Sequence, residues 1–186
     1  MISPHDTLQR PRQEGGFTLI ELFIGLAIAG MLVTFATPHW RSLIAAAEVR
    51  ERALALVQAM GVARSEAIKR GTRVDLCPSA DRTRCAGALG WDAGWLAYVN
   101  GSVTDQPAAG SLVTRGERLA PSGVTIRGNR PIADYVSFTS LGHARRHDGA
   151  LQMGTFTVCR AGQDALKVVL ANSGRVRIDT TREVCP

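Results

Sequence analysis

Residues 17–36 read FTLIELFIGLAIAGMLVTFA, 20 consecutive positions with no basic residue and one acid, Glu21. A helix needs about 20 mostly apolar residues to cross the hydrocarbon core of a bilayer, so this stretch reads as a membrane helix. Arg10 and Arg12 lie upstream and supply the positive flank that stays in the cytoplasm. A secretory signal peptide would share that flank, but its apolar region would run for about 7–15 residues and end at a small-residue cleavage site. Here Pro38, His39 and Trp40 follow, and helical patterning resumes at once. Proline removes one helical hydrogen bond, so a kink or an interruption is expected at Pro38.

Beyond it, Val49, Ala53, Leu56, Met60, Ala63 and Ala67 recur at three- and four-residue spacing. Arg50, Glu51, Arg52, Arg64, Glu66 and Arg70 fall mostly off that stripe, which makes this an amphipathic helix. Lys69 and Arg70 before Gly71 give a basic last turn and a left-handed cap, so the helix should end there. After Gly71 the period drops to two, with strands expected at 73–77, 95–99, 112–115, 124–127, 135–139, 155–159, 167–170 and 175–178. One long helix followed by eight short strands argues for an α+β fold, with an antiparallel sheet packed on the amphipathic half of the helix. Residues 100–110, NGSVTDQPAAG, are the expected mobile loop.

The chain has 186 residues, enough for one domain plus an appended segment. With 45% hydrophobic and 20% charged residues it is neither disordered nor a multi-span membrane protein. Its 22 Lys+Arg and 16 Asp+Glu leave a net charge of +6. A basic balance attracts polyanions such as nucleic acid or anionic lipid and says nothing of fold.

A carboxylate within an apolar run costs roughly 2.5–3.5 kcal/mol on insertion scales, so Glu21 should have a partner. A cut between Gly16 and Phe17 would provide one, since the new α-amino group would lie one helical turn from Glu21 of the same or a neighbouring copy. The segment Gly15-Gly16-Phe17-Thr18-Leu19-Ile20-Glu21 resembles the prepilin-peptidase site of type IV pilins and type II secretion pseudopilins, and Pro38 coincides with that family's helix-kinking proline. Downstream, residues 63–71 (ARSEAIKRG), Leu76-Cys77-Pro78, Gly94-Trp95, residues 155–159 (TFTVC) and residues 173–177 (SGRVR) are similar to the GspH/FimT group of minor pilins and pseudopilins.

The resemblance implies a pilin-like fold divided into a cleaved leader (1–16), a membrane and assembly half of the helix (17–37), an amphipathic half (38–71) and a periplasmic β-rich domain (72–186). It also implies cleavage and N-methylation at Gly16 and Phe17, and assembly through Glu21 and Pro38. The implied partners are prepilin peptidase, major and minor pilins, and the inner membrane, which the chain would span once before entering a pilus at the cell surface.

Cys77, Cys85, Cys159 and Cys185 all follow the apolar run, on the side where a periplasm permits disulfides. Three pairings are open, and Cys77 with Cys85 plus Cys159 with Cys185 is the one expected. No C-x-x-C pair is present to suggest zinc, so no metal or other cofactor is expected. His143 and His147 flank Arg145 and Arg146 in LGHARRHDG, where Gly142 and Gly149 point to a solvated turn, with Asp148 beside His147 as a surface pair. No G-x-S-x-G, H-E-x-x-H or phosphate-binding glycine loop is present, and an enzyme is not expected.

Arg175 and Arg177 alternate on one face of the last expected strand, after the turn Asn172-Ser173-Gly174, with Val176 facing the other way. Two guanidiniums projecting together can hold successive phosphates bidentately, which gives affinity with little sequence reading. A solvated strand face, with the arginines paired to Asp179 and Glu183, is the alternative use of the same residues. In the FimT branch a G-R-x-R motif at this place is associated with binding incoming DNA during natural transformation, and Gly174, Arg175 and Arg177 match it. Arg145, Arg146, Arg160, Lys167 and Arg182 are further candidate DNA contacts. The resemblance therefore implies a minor type IV pilin that binds DNA nonspecifically, or else a GspH-like pseudopilin with a structural role in protein export.

Overall fold

The structure is a computed structural model describing residues 16, 18–87, 89–115 and 123–186, with only the backbone described at 33, 35–39 and 115. It divides into two compact units, Met1–Arg41 and Ser42–Pro186.

Helix α1 runs over Leu19–Arg70 and contributes to both units. Its backbone stays helical through Pro38, so the expected interruption does not occur. A proline cancels one hydrogen bond of the ladder, and the long helical runs on either side carry the backbone across. Past the unit boundary the apolar stripe does what its spacing predicts. Val49, Ala53, Leu56, Met60, Ala63 and Ala67 are all buried. At the far end Gly71 takes φ +60. Its N–H donates to Ile68 O at 3.3 Å and that of Thr72 to Ala67 O at 3.2 Å, the two bonds of a Schellman cap.

Eight strands follow: β1 (Val74–Pro78), β2 (Trp95–Val99), β3 (Leu112–Arg115), β4 (Thr125–Gly128), β5 (Val136–Phe138), β6 (Gly154–Cys159), β7 (Asp164–Leu170) and β8 (Val176–Val184). They form two sheets rather than the single one expected, in the orders β3-β2-β1-β5 and β4-β6-β7-β8, and every pairing is antiparallel. Period-two patterning shows which face of a strand is buried but not which strand lies beside it, so the division was invisible in the sequence. Both sheets feed one core: Val74, Leu76, Val136 and Phe138 from the first meet Ile126, Phe156, Val158, Val168 and Leu170 from the second around the stripe of α1. Trp91 lies among them, its ring edge-on to Phe156 at 5.1 Å and its indole N–H donating to Ala133 O at 2.8 Å.

The disulfides are Cys77–Cys85 and Cys159–Cys185. Between the first pair, Asp81 accepts hydrogen bonds from the N–H of Thr83 at 2.8 Å and of Arg84 at 3.0 Å. Those backbone donors hold its carboxyl well below the usual carboxylate range. The 100–110 segment is tethered rather than loose. Gln106 exchanges side-chain hydrogen bonds with the backbone of Cys85, and Tyr98 OH donates to Thr104 O at 3.0 Å.

Candidate nucleic-acid interface

Strand β8 is the outermost strand of the second sheet, paired only with β7. Val176 and Ile178 pack against the core, which turns Arg175 and Arg177 outward on the same side, both exposed. Two residues of strand separate them by about 6.8 Å. They are not equivalent. The Arg177 Nε donates to both carboxylate oxygens of Asp179 at 3.1 Å, whereas Arg175 has no ion-pair partner among the described residues. Of the two anions expected to compete for these arginines, Asp179 takes Arg177 and Glu183 turns to Lys167 at 2.9 Å.

The turn before Arg175 is tightly built. Gly174 N–H donates to Ala171 O and Ala171 N–H to Arg175 O, both at 2.9 Å, and Gly174 takes φ +78. A β-carbon there would lie 2.0 Å from Gly142 O, so no other residue fits without moving the backbone. Gly142, at φ +75, closes the hairpin that joins β5 to Ala144. From α1, Arg64 reaches both turns, donating from Nε to Gly142 O at 3.0 Å and from Nη2 to Ser173 O at 3.2 Å.

The remaining basic candidates scatter. Arg145 lies beside the turn, its Nη1 donating to Asn172 O at 3.2 Å, and Arg146 pairs with Asp148 at 3.3 Å. Lys167 shares the outer face with Arg177, since it stands opposite Asp179 across β7 and β8. Arg160 is drawn onto Glu48 of α1 as an ion pair. Glu48 and Arg64 are sixteen helical residues apart, about 24 Å, which puts Arg160 toward the opposite end of the domain from the glycine turns. Arg182 is exposed five residues along β8 from Arg177, about 17 Å.

A second polar constellation went unread in the sequence. Asp75, between Val74 and Leu76 on the central strand β1, is fully buried because its side of the sheet is covered as well. One carboxylate oxygen meets Asn100 Nδ2 and His147 Nε2, each at 2.6 Å, and the other has no hydrogen-bond partner among the described residues. His147 stacks on Tyr135 with ring centroids 4.2 Å apart and lies 3.5 Å from Asp105, so it is not in a solvated turn beside Asp148. Asp148 goes to Arg146 instead, and only His143 stays exposed as expected. Burial, with the charges of Asp75 and Asp105, pushes the Tyr98 phenol well above its ordinary range. Tyr98, Tyr135, His147, Asp105 and Asp134 line a cavity of about 270 Å³. Nothing in the local pattern of VDLCP announced this, because Asp75 occupies the position that alternation assigns to solvent.

The family model for the type II transport protein GspH matches residues 52–174, the last part of α1 and all the strands up to the Gly174 turn. The chain belongs to the GspH family. A second family model, the prokaryotic N-terminal methylation motif, matches residues 11–37 of this GspH-family chain. Among solved structures it is similar to the type IV minor pilin FimU of Pseudomonas aeruginosa strain PAO1, with a TM-score of 0.55 at 17% identity, over 75% of this chain and 96% of that one. FimU in another crystal form gives a TM-score of 0.50 at 18% identity, over 74% and 99%. At such identities the likeness is one of fold. No curated protein matches the chain significantly. Membership places this protein in a family of structural pilin and pseudopilin subunits, which associate with other such subunits.

In the first unit Thr18 and Glu21 form a capping box at the start of α1. Thr18 N–H and Oγ1–H donate to Glu21 Oε2 at 3.0 and 2.9 Å, and Glu21 N–H returns a bond to Thr18 Oγ1 at 3.4 Å. The T-x-x-E spacing in Thr18-Leu19-Ile20-Glu21 was the available signal. Phe17, whose α-amino group is the partner expected for Glu21, and the side chains of Pro38 and His39 lie outside the described residues. Among the described residues no helix is long and apolar enough to cross a membrane, and no group of three His, Cys, Asp or Glu could hold a metal ion.

Proposed function

We propose that this GspH-family protein is a minor type IV pilin that holds DNA through Gly174, Arg175 and Arg177. In this reading it is processed by prepilin peptidase between Gly16 and Phe17, N-methylated at Phe17, and held in the inner membrane by a single pass before assembly through Glu21 and Pro38. The observation that carries the DNA reading is the pair of exposed guanidiniums at the start of β8, Arg175 just before the strand and Arg177 within it, the first without an ion-pair partner among the described residues. Arginine on a strand reaches phosphate more readily than base edges, so binding is indifferent to sequence and steep in salt. Arg145 stands next to the turn, and Lys167 shares the outer face with Arg177. Arg160 and Arg182 contribute at most to the general field.

Binding of the full chain in detergent to a duplex of arbitrary sequence tests this. Replacing Arg175 and Arg177 together by glutamine should lower the slope of log K against log salt by about 0.9 per contact, or about 1.8 for both. The change Arg50→Gln with Arg52→Gln removes the same formal charge from α1. Equal loss from the two pairs would reduce the effect to diffuse attraction and end the site reading. Mass spectrometry of the mature protein should find Phe17 at the N-terminus, and a terminus elsewhere would remove the processing step.

A second reading, a GspH-like pseudopilin serving protein export, is favoured by the Arg177–Asp179 pair, which gives that arginine a structural use. Deletion that abolishes exoprotein release and spares transformation would select it.

A further inference from the structure

Arg64 has no part in the DNA contacts of the proposed function, yet its side chain reaches from α1 to both glycine turns. We propose that Arg64 is the positioning residue of the DNA-contacting strand, fixing where Arg175 and Arg177 leave their turn without itself holding phosphate. This rests on the DNA reading above.

Three observations carry it. Gly142 O is held between Arg64 Nε at 3.0 Å and the bare α-carbon of Gly174, where even a β-carbon would approach to 2.0 Å. Ser173 O, two residues before Arg175, takes the second donor of the same guanidinium at 3.2 Å. Ala63 and Ala67, the fully buried neighbours of Arg64 on the stripe, leave room for the turns to lie close to the helix. A guanidinium presents its donors in a rigid planar fork, so serving two carbonyls at once fixes both their separation and their orientation. With those donors spent on backbone oxygens, Arg64 is poorly placed to meet a phosphate as well. A lysine has the charge but not the fork, and can restrain only one of the two turns in this way.

The test uses the full chain in detergent with Arg64→Gln and Arg64→Lys, each alone and combined with Arg175→Gln/Arg177→Gln, titrated with a duplex of arbitrary sequence. Arg64→Gln should weaken binding by roughly tenfold, and Arg64→Lys should follow it despite keeping the charge. In the Arg175→Gln/Arg177→Gln background the same change should cost less than about twofold, because coupled positions are not additive. Hydrogen exchange at the Gly174 and Ala144 amides should quicken in both Arg64 variants while β6 and β7 stay protected. The lysine variant also covers the case in which Arg64→Gln does not fold. Wild-type binding by Arg64→Lys, or an additive loss in the combined variant, would make Arg64 a simple charge and overturn the proposal. Unchanged exchange at Gly174 and Ala144 would overturn it whatever happens to DNA. A wild-type chain that binds no DNA, with exchange that still responds, would instead sink the DNA reading and leave Arg64 only as the clamp of the turns.

Discussion

At one end of the second sheet Arg160 is drawn onto Glu48 and Cys159 is bonded to Cys185, while at the other Arg175 stands without a counter-charge among the described residues on a turn made possible by two glycines. The residue type is the same and the uses are opposite. Arg160 ties a strand end to the helix across 112 residues of sequence, and its charge is consumed in doing so. The Arg175 side chain forms no ion pair among the described residues, and the arginines beside its turn, Arg64 and Arg145, spend their donors on backbone oxygens of that turn. A count of basic residues in the C-terminal part of the chain therefore overstates the surface available to a polyanion. What distinguishes the two ends is which arginine already has a partner.

Four changes would break or sharpen this contrast. The largest effect is expected at the open end, from Gly174→Ala, which combines left-handed strain of about 1–3 kcal/mol with a backbone clash of similar size. Thermal unfolding should report a loss of about 3 kcal/mol or more, together with loss of any DNA binding, and a stable, binding-competent variant would contradict the Gly142 contact. At the closed end, removing the second disulfide by Cys159→Ser with Cys185→Ser should cost about 2–4 kcal/mol in denaturant unfolding. A DNA affinity that then fell as far as in Gly174→Ala would mean that the two ends are not independent. Glu48→Gln should cost about 1 kcal/mol or less, the range of a partly exposed pair, and should release Arg160. If the release raised DNA affinity as much as Arg175→Gln lowers it, position would matter less than charge.

The smallest effect belongs to the last turn of α1, where Glu66 accepts hydrogen bonds from Arg70 at 2.8 Å and Lys69 at 3.4 Å. Arg70 first and Lys69 second hold its carboxyl below the usual value. A depressed carboxylate stabilises the fold above its unfolded pKa of about 4.3 and loses that contribution as pH falls through the lower folded value. A carboxyl titration of Glu66 followed by NMR should therefore be displaced to lower pH, and the displacement should shrink in Arg70→Gln and further when Lys69 is replaced as well.

Much of the fold was legible because periodicity reports burial directly. The stripe of α1 from Val49 to Ala67, its end at Gly71 and the existence of all eight strands follow from patterns in which each residue's own neighbours suffice. What was hidden depends on residues far apart in the chain. Asp75 looks like a solvent position until His147, 72 residues on, and Asn100, 25 residues on, are seen to cover it. The two-sheet division has the same origin, because the choice of β6 rather than β5 as the partner of β4 leaves no mark in either strand. At the candidate site the outward direction of Arg175 and Arg177 was readable from alternation. The capture of Arg177 by Asp179 is one of the two uses that the sequence allows for this arginine. The attachment of Arg64 could not be read, since an arginine off a helical stripe looks like any solvated surface residue.

The clamp formed by Arg64 also bears on the order in which the domain assembles. Strands β6, β7 and β8 pair with their sequence neighbours, so that part of the second sheet can close through local contacts, which form early because little loop entropy is lost. The bonds from Arg64 to Gly142 and Ser173 span 78 and 109 residues and require the helix to have docked. Their expected place is after the main barrier, and Arg64→Gln should then accelerate unfolding while leaving the refolding rate nearly unchanged. A variant that refolds more slowly would place the clamp inside the nucleus. With the clamp formed late, the hold of the helix on the turn that presents Arg175 is expected to be set last and released first, while the hairpin itself stays paired.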